Sequence, residues 1–111
     1  MVRKKILNSK LAGIIRHYSR ILKQSGIGFE EIILFGSQAK GTARKWSDID
    51  LAIVSTDFGK DSHAELVKLL NIRDDISIDI EPHPFHPQDL EEKWDSLAAE
   101  IRKNGIVVEQ I

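Results

Sequence analysis

Gly36-Ser37-Gln38-Ala39-Lys40-Gly41-Thr42-Ala43-Arg44-Lys45-Trp46-Ser47-Asp48-Ile49-Asp50-Leu51 is the stretch on which the reading of this chain turns, and the apolar run Ile32-Ile33-Leu34-Phe35 leads into it. A buried strand ending at Gly36-Ser37 delivers backbone amides and a hydroxyl to one point. Glycine lets an anion approach the main chain closely, and the amides that open a following helical turn suit phosphate oxygens. Ser37 is equally a good helix N-cap, and the two roles share one geometry. Asp48 and Asp50 are two residues apart, so on a strand both carboxylates project from one face. Two hard oxygen ligands side by side are what Mg²⁺ needs when substrate phosphates complete its shell.

Outward from this stretch, the chain reads as a compact alternation of helices and strands. Leu7, Leu11, Ile14, Ile15, Tyr18, Ile21 and Leu22 recur at three- and four-residue steps, which predicts an amphipathic first helix with Asn8 or Ser9 as its cap and Gly26 at its end. Residues 30–35 form an apolar strand without alternation, as a central strand covered on both faces would. A second strand is expected over Ile49–Val54 and a helix over Ser62–Ile72. Ile76-Ser77-Ile78-Asp79-Ile80-Glu81 alternates cleanly and predicts a strand, which Pro82, Pro84 and Pro87 would stop. A last helix over Gln88–Asn104 would bury Leu90, Trp94, Leu97, Ala98 and Ile101, with Gly105 closing it before a short strand at Ile106–Glu109. The expected fold class is α/β (α+β), a small mixed β-sheet flanked by helices in a single domain over residues 1–111.

Nucleotidyl transfer chemistry calls for charge stabilisation on both sides of a reacting phosphorus, and two metal ions bridged by clustered carboxylates can provide it. Asp48 and Asp50 supply the pair. Asp79, mid-strand and opposite Ile78 and Ile80, is the best third carboxylate, and Glu81, two residues on, is the runner-up. The plain alternative is a solvated turn and an exposed strand face. Against it, aspartate is disfavoured in strands, yet three occupy two strands that are otherwise apolar. His83 and His86 fall in the proline-broken loop and read as solvated residues. Lys40, Arg44 and Lys45 are able to approach a polyphosphate, or simply to line a solvated loop, and Trp46 packs over that loop or stacks near a base.

Gly-Ser at a strand end, the spacer, Asp-x-Asp and a later strand carboxylate together resemble the signature of the polymerase-beta-like nucleotidyltransferase superfamily. Within it, the chain is most similar to the minimal nucleotidyltransferase (MNT) domains that often accompany a helical HEPN partner. The resemblance implies transfer of a nucleoside monophosphate, most simply AMP from ATP, to a hydroxyl of a protein partner, with two Mg²⁺ ions. It assigns Asp48, Asp50 and Asp79 as catalytic metal ligands and places Gly36, Ser37, Lys40 and Ser47 on the nucleotide side, Ser37 at the β/γ-phosphates. It further implies an antitoxin whose partner is a HEPN toxin modified on a tyrosine. One departure is visible: where the family often has arginines flanking the alanine, this chain has Gln38 and Lys40. Lysine loses the bidentate fork and glutamine keeps only hydrogen bonding. A non-catalytic nucleotide-binding module that regulates a partner by contact is therefore the alternative.

Composition narrows the classes. A chain of 111 residues buries a modest core, and 41% hydrophobic with 30% charged residues fits a soluble globular protein. No apolar stretch approaches the roughly 18 residues of a membrane span, and the basic start is followed by Asn8, Ser9 and Lys10 rather than a secretory core. The absence of cysteine excludes disulfides and thiolate zinc sites and fits the cytoplasm. A net charge of −1 argues against direct nucleic-acid binding and for a nucleoside triphosphate or protein partner. No segment is left over to hold an acceptor, so a protein partner or a homo-oligomer is expected to present one.

Overall fold

Leu11, Ile15, Tyr18 and Leu22 bury one stripe of helix α1 (Ser9–Gln24), which starts where the Asn8 carboxamide oxygen accepts from the Leu11 amide at 3.1 Å. A computed structural model describes residues 2–3, 8–44 and 47–110, the first two as backbone only. After α1 come β2 (Glu31–Phe35), a one-turn helix α2 (Ser37–Lys40), β3 (Ile49–Val54), α3 (Ser62–Asp74), β4 (Ile80–Phe85), a 3₁₀ turn (Pro87–Glu91), α4 (Ser96–Asn104) and β5 (Ile106–Gln110), while Val2–Arg3 forms a short β1 ahead of α1. The sheet runs β1-β5-β2-β3-β4, with β1/β5 and β3/β4 parallel and the two inner pairings antiparallel. It is the small mixed sheet flanked by helices that the sequence implies. Among the described residues no helix is long and apolar enough to cross a membrane.

Two apolar layers sandwich the sheet. On one face Ile32, Leu34, Ile49, Leu51, Ile53 and Ile80 meet α1 and Leu69 of α3. On the other, Ile33, Phe35, Ala52, Val54 and Phe85 meet Leu90 and Ile101. This two-sided burial is why β2 reads as an apolar run without alternation. Tyr18 ties α1 to α3 by donating to the Leu69 carbonyl at 2.9 Å.

Three expectations are corrected. The strand expected to end at Pro82 instead begins at Ile80 and runs through Pro82 and Pro84. Because β4 is an edge strand, prolines at alternate positions turn their missing N–H groups away from β3. The intervening residues carry the ladder: Ile49 N donates to Asp79 O at 2.8 Å and Ser55 N to Phe85 O at 2.9 Å. The single helix expected over residues 88–104 is broken, because the Asp95 carboxylate accepts from the Leu97 and Ala98 amides and starts α4 anew. Trp94, expected in the core, is left 88% exposed just before that cap.

Candidate functional site

Phe35 ends β2 in register with Asp50 of β3, and the next residue, Gly36, turns the chain with φ +72°. A Cβ at Gly36 would collide with the Asp50 carboxylate. Glycine is thus required twice, by the left-handed backbone and by the approach of a side chain fourteen residues away in sequence. Its carbonyl accepts from the Ala39 and Lys40 amides, both at 3.1 Å, which winds α2 around the strand end with half-buried Ser37 as its first residue. Gly41, left-handed at φ +75°, ends the turn.

Parallel pairing of β3 with β4 sets Asp50 opposite Glu81, and His83 follows two residues on, on the same strand face. His83 Nε2 lies 3.7 Å from Asp50 Oδ1 and 3.8 Å from Glu81 Oε1. One ligand atom from each of Asp50, Glu81 and His83 falls within 4.8 Å of the others, an arrangement able to hold a metal ion. Burial, then the charges of Asp50 and Asp48, then hydrogen bonding with those two carboxylates, raise the Glu81 pKa above its ordinary value. Burial pushes the His83 imidazole down, and the Asp50 carboxylate opposes it. His83 Nε2 is buried without a hydrogen-bond partner, and its ring rests on Phe35 with centroids 5.2 Å apart. Crowded carboxylates beside an orphaned imidazole nitrogen are suited to a cation. The donor set of carboxylates and imidazole fits a divalent metal.

The remaining predicted residues are distributed around this group. Asp48 stands exposed just before β3, close enough for its charge to act on Glu81. Asp79 is not brought into the group. The strand starts one residue after it, and exposed Asp79 lines a groove of about 380 Å³ with Lys10, Leu11, Ile14 and Ser47. Lys40 Nζ pairs with Glu100 of α4 at 2.6 Å. Ser47 closes the motif loop, its hydroxyl accepting from the Arg44 amide at 2.7 Å. Lys45 and Trp46 lie outside the described residues. His86, read as solvated, caps the 3₁₀ turn by accepting from the Gln88 amide. His83 is the residue that sequence reasoning passed over. The alternation Asp79, Glu81, His83, Phe85 continues through the prolines and carried the signal.

Residues 17–110 match the family described as Polymerase beta, Nucleotidyltransferase. The chain belongs to this family. No curated protein matches it in sequence. Among solved structures, a proposed nucleotidyltransferase from Sulfolobus solfataricus has a TM-score of 0.69 at 16% identity, covering 91% of this chain and 81% of its own. A toxin–antitoxin with AMP-PNP has a TM-score of 0.59 at 22% identity, covering 90% and 73%. A mutant of the toxin–antitoxin MntA-HpeT reaches 0.57 at 19% identity, covering 86% and 73%. At such identities the likeness is one of fold. In this nucleotidyltransferase-family chain, Gly36, Asp50, Glu81 and His83 come from three elements and meet at one place.

Proposed function

We propose that this chain is an adenylyltransferase-type enzyme that moves a nucleoside monophosphate, AMP from ATP, to a hydroxyl of a protein partner. The observation that carries the reading is the packing of the Asp50 carboxylate against Gly36, with Glu81 beside it in register. Asp48, Asp50 and Glu81 would hold the divalent metal, two Mg²⁺ ions in the simplest case, Glu81 taking the place that the sequence suggested for Asp79. When bound, the metal neutralises charge on the triphosphate and on both oxygens of an in-line displacement. The acceptor oxygen forms a bond to the α-phosphorus as the α–β bridging bond breaks and pyrophosphate leaves. Glu81, in register with Asp50, would accept the hydroxyl proton. Gly36 and Ser37 would offer amides and a hydroxyl to the phosphates, and Ser47 would hold the loop beside them.

The fold likeness to two toxin–antitoxin structures supports the antitoxin role, with a HEPN-type protein as acceptor. Co-expression with such a partner and incubation with α-³²P-ATP should label the partner. Asp50→Asn and Glu81→Gln should abolish labelling while keeping the fold. Wild-type labelling by either variant would overturn the assignment. A second reading, nucleotide binding without transfer, is favoured by the engagement of Lys40 with Glu100, which compensates one cation of the loop. Retained ATP binding with no label on the partner would support it.

A further inference from the structure

We infer that His83 is itself a metal ligand, completing with Asp50 and Glu81 a two-carboxylate, one-imidazole seat that favours Mn²⁺, Co²⁺ or Zn²⁺ over Mg²⁺. The inference deepens the reading above and rests on Asp50 and Glu81 being metal ligands, though not on transfer itself.

Distances come first. At 3.7 and 3.8 Å, His83 Nε2 is too far from either carboxylate for a hydrogen bond. Two donors each about 2.1 Å from one ion, at a tetrahedral angle, stand about 3.4 Å apart, close to what is seen. The nitrogen is also buried without a partner, and native structures leave few such atoms unexplained. A shared cation would satisfy the nitrogen and relieve the repulsion between Asp50 and Glu81 together.

Orientation comes second. Glu81 and His83 are two apart on β4, and Asp50 faces Glu81 across the parallel ladder, so backbone pairing alone converges the three. Pro82 and Pro84 bracket His83 and fix the strand's φ on both sides. Phe35 supports the ring from β2. The imidazole is therefore held in place before any ion arrives, with little ordering left to do on binding. Mg²⁺ favours oxygen ligands and water, whereas imidazole suits the transition ions. A seat with one nitrogen thus tilts the choice of metal.

The test uses the full chain without nucleotide. Long-range ¹H–¹⁵N spectra follow the imidazole nitrogens of His17, His63, His83 and His86 as Zn²⁺ is added, with His83→Gln identifying the His83 signal. Calorimetry compares Mn²⁺ and Mg²⁺ binding to the wild type, His83→Gln and Asp50→Asn. The expected result is a large shift of His83 Nε2 at one equivalent of Zn²⁺. His83→Gln should weaken Mn²⁺ about tenfold or more and Mg²⁺ by no more than about threefold. Asp50→Asn should weaken both. An unmoved His83 nitrogen at saturating Zn²⁺, equal losses for the two ions in His83→Gln, or unchanged binding by Asp50→Asn would each overturn the inference. The nitrogen shift is read on wild-type protein, so an unfolded variant does not blunt the test. Metal ligation by His83 without partner labelling would sink the transfer reading alone, and labelling with an unmoved His83 would sink this one alone.

Discussion

Strand β3 carries two chemistries on its two faces. Toward α1 and α3 it presents Ile49, Leu51 and Ile53, which with Ile80 of β4 are at most 4% exposed. Toward the other side the same strand presents Asp50 ahead of Ala52 and Val54, and β4 adds Glu81 and His83 ahead of Phe85. The first face is packed to be stable. The second gathers like charges and an orphaned nitrogen where a hydrophobic row would pack better. Such crowding destabilises the metal-free protein, and the apolar face supplies the margin that tolerates it.

The sharpest contrast is between truncating the two faces. Leu51→Ala leaves a cavity between the sheet and its helices and should cost about 2–5 kcal/mol in urea denaturation. A loss under about 1 kcal/mol would show that the apolar face is not the source of the margin. Gly36→Ala tests how the faces are joined. It forces a side chain into a left-handed backbone and against Asp50, and should cost about 1–3 kcal/mol while weakening metal binding. Gly26→Ala, at φ +82° in open space, should show the backbone strain alone. Equal losses in stability and unchanged metal binding would remove the contact with Asp50 from the argument.

Asp50→Asn should act in the opposite direction. Without metal, removing one charge beside Glu81 should raise stability by about 1 kcal/mol or less. A lower melting temperature for this variant in EDTA would contradict the picture of a face held under repulsion.

The smallest effect lies away from both faces. Glu65 accepts from the amides of Gly59, Lys60 and Asp61, and its pKa is lowered, chiefly by the Gly59 hydrogen bond. A depressed folded pKa means the unfolded chain binds more protons in that window. The contribution is therefore complete above the ordinary glutamate value and lost as pH falls through the folded one. Glu65→Gln should lower the melting temperature by on the order of a degree at pH 7, and the gap should close on acidification. A gap that widened at low pH would refute it.

Much of this was legible in the sequence, and the omissions share a cause. An unbroken apolar run marked β2, Asn8 or Ser9 marked the start of α1, and the spacing of Gly36, Asp48 and Asp50 marked the place where the chain would gather polar groups. Proline misled at β4 because its cost depends on whether a strand has a neighbour on that side. Trp94 misled because an apolar periodicity does not show that Asp95 will restart the helix.

The sequence by itself determined the alternation of helices and strands, the two-sided burial of β2, and a glycine at the end of that strand. These are set by neighbours along the chain, through side-chain period and backbone freedom. Only the tertiary structure decided which carboxylate stands with Asp50. That depends on the register of β3 against β4, and a shift along an edge strand exchanges Asp79 for Glu81 at the same rung. In the observed register Ile49 stands opposite Ile80, and both are buried in the apolar layer with Leu69 of α3. The same pairing brought His83 out of an expected loop and set it against two acids, because prolines that end an interior strand are accommodated at an edge.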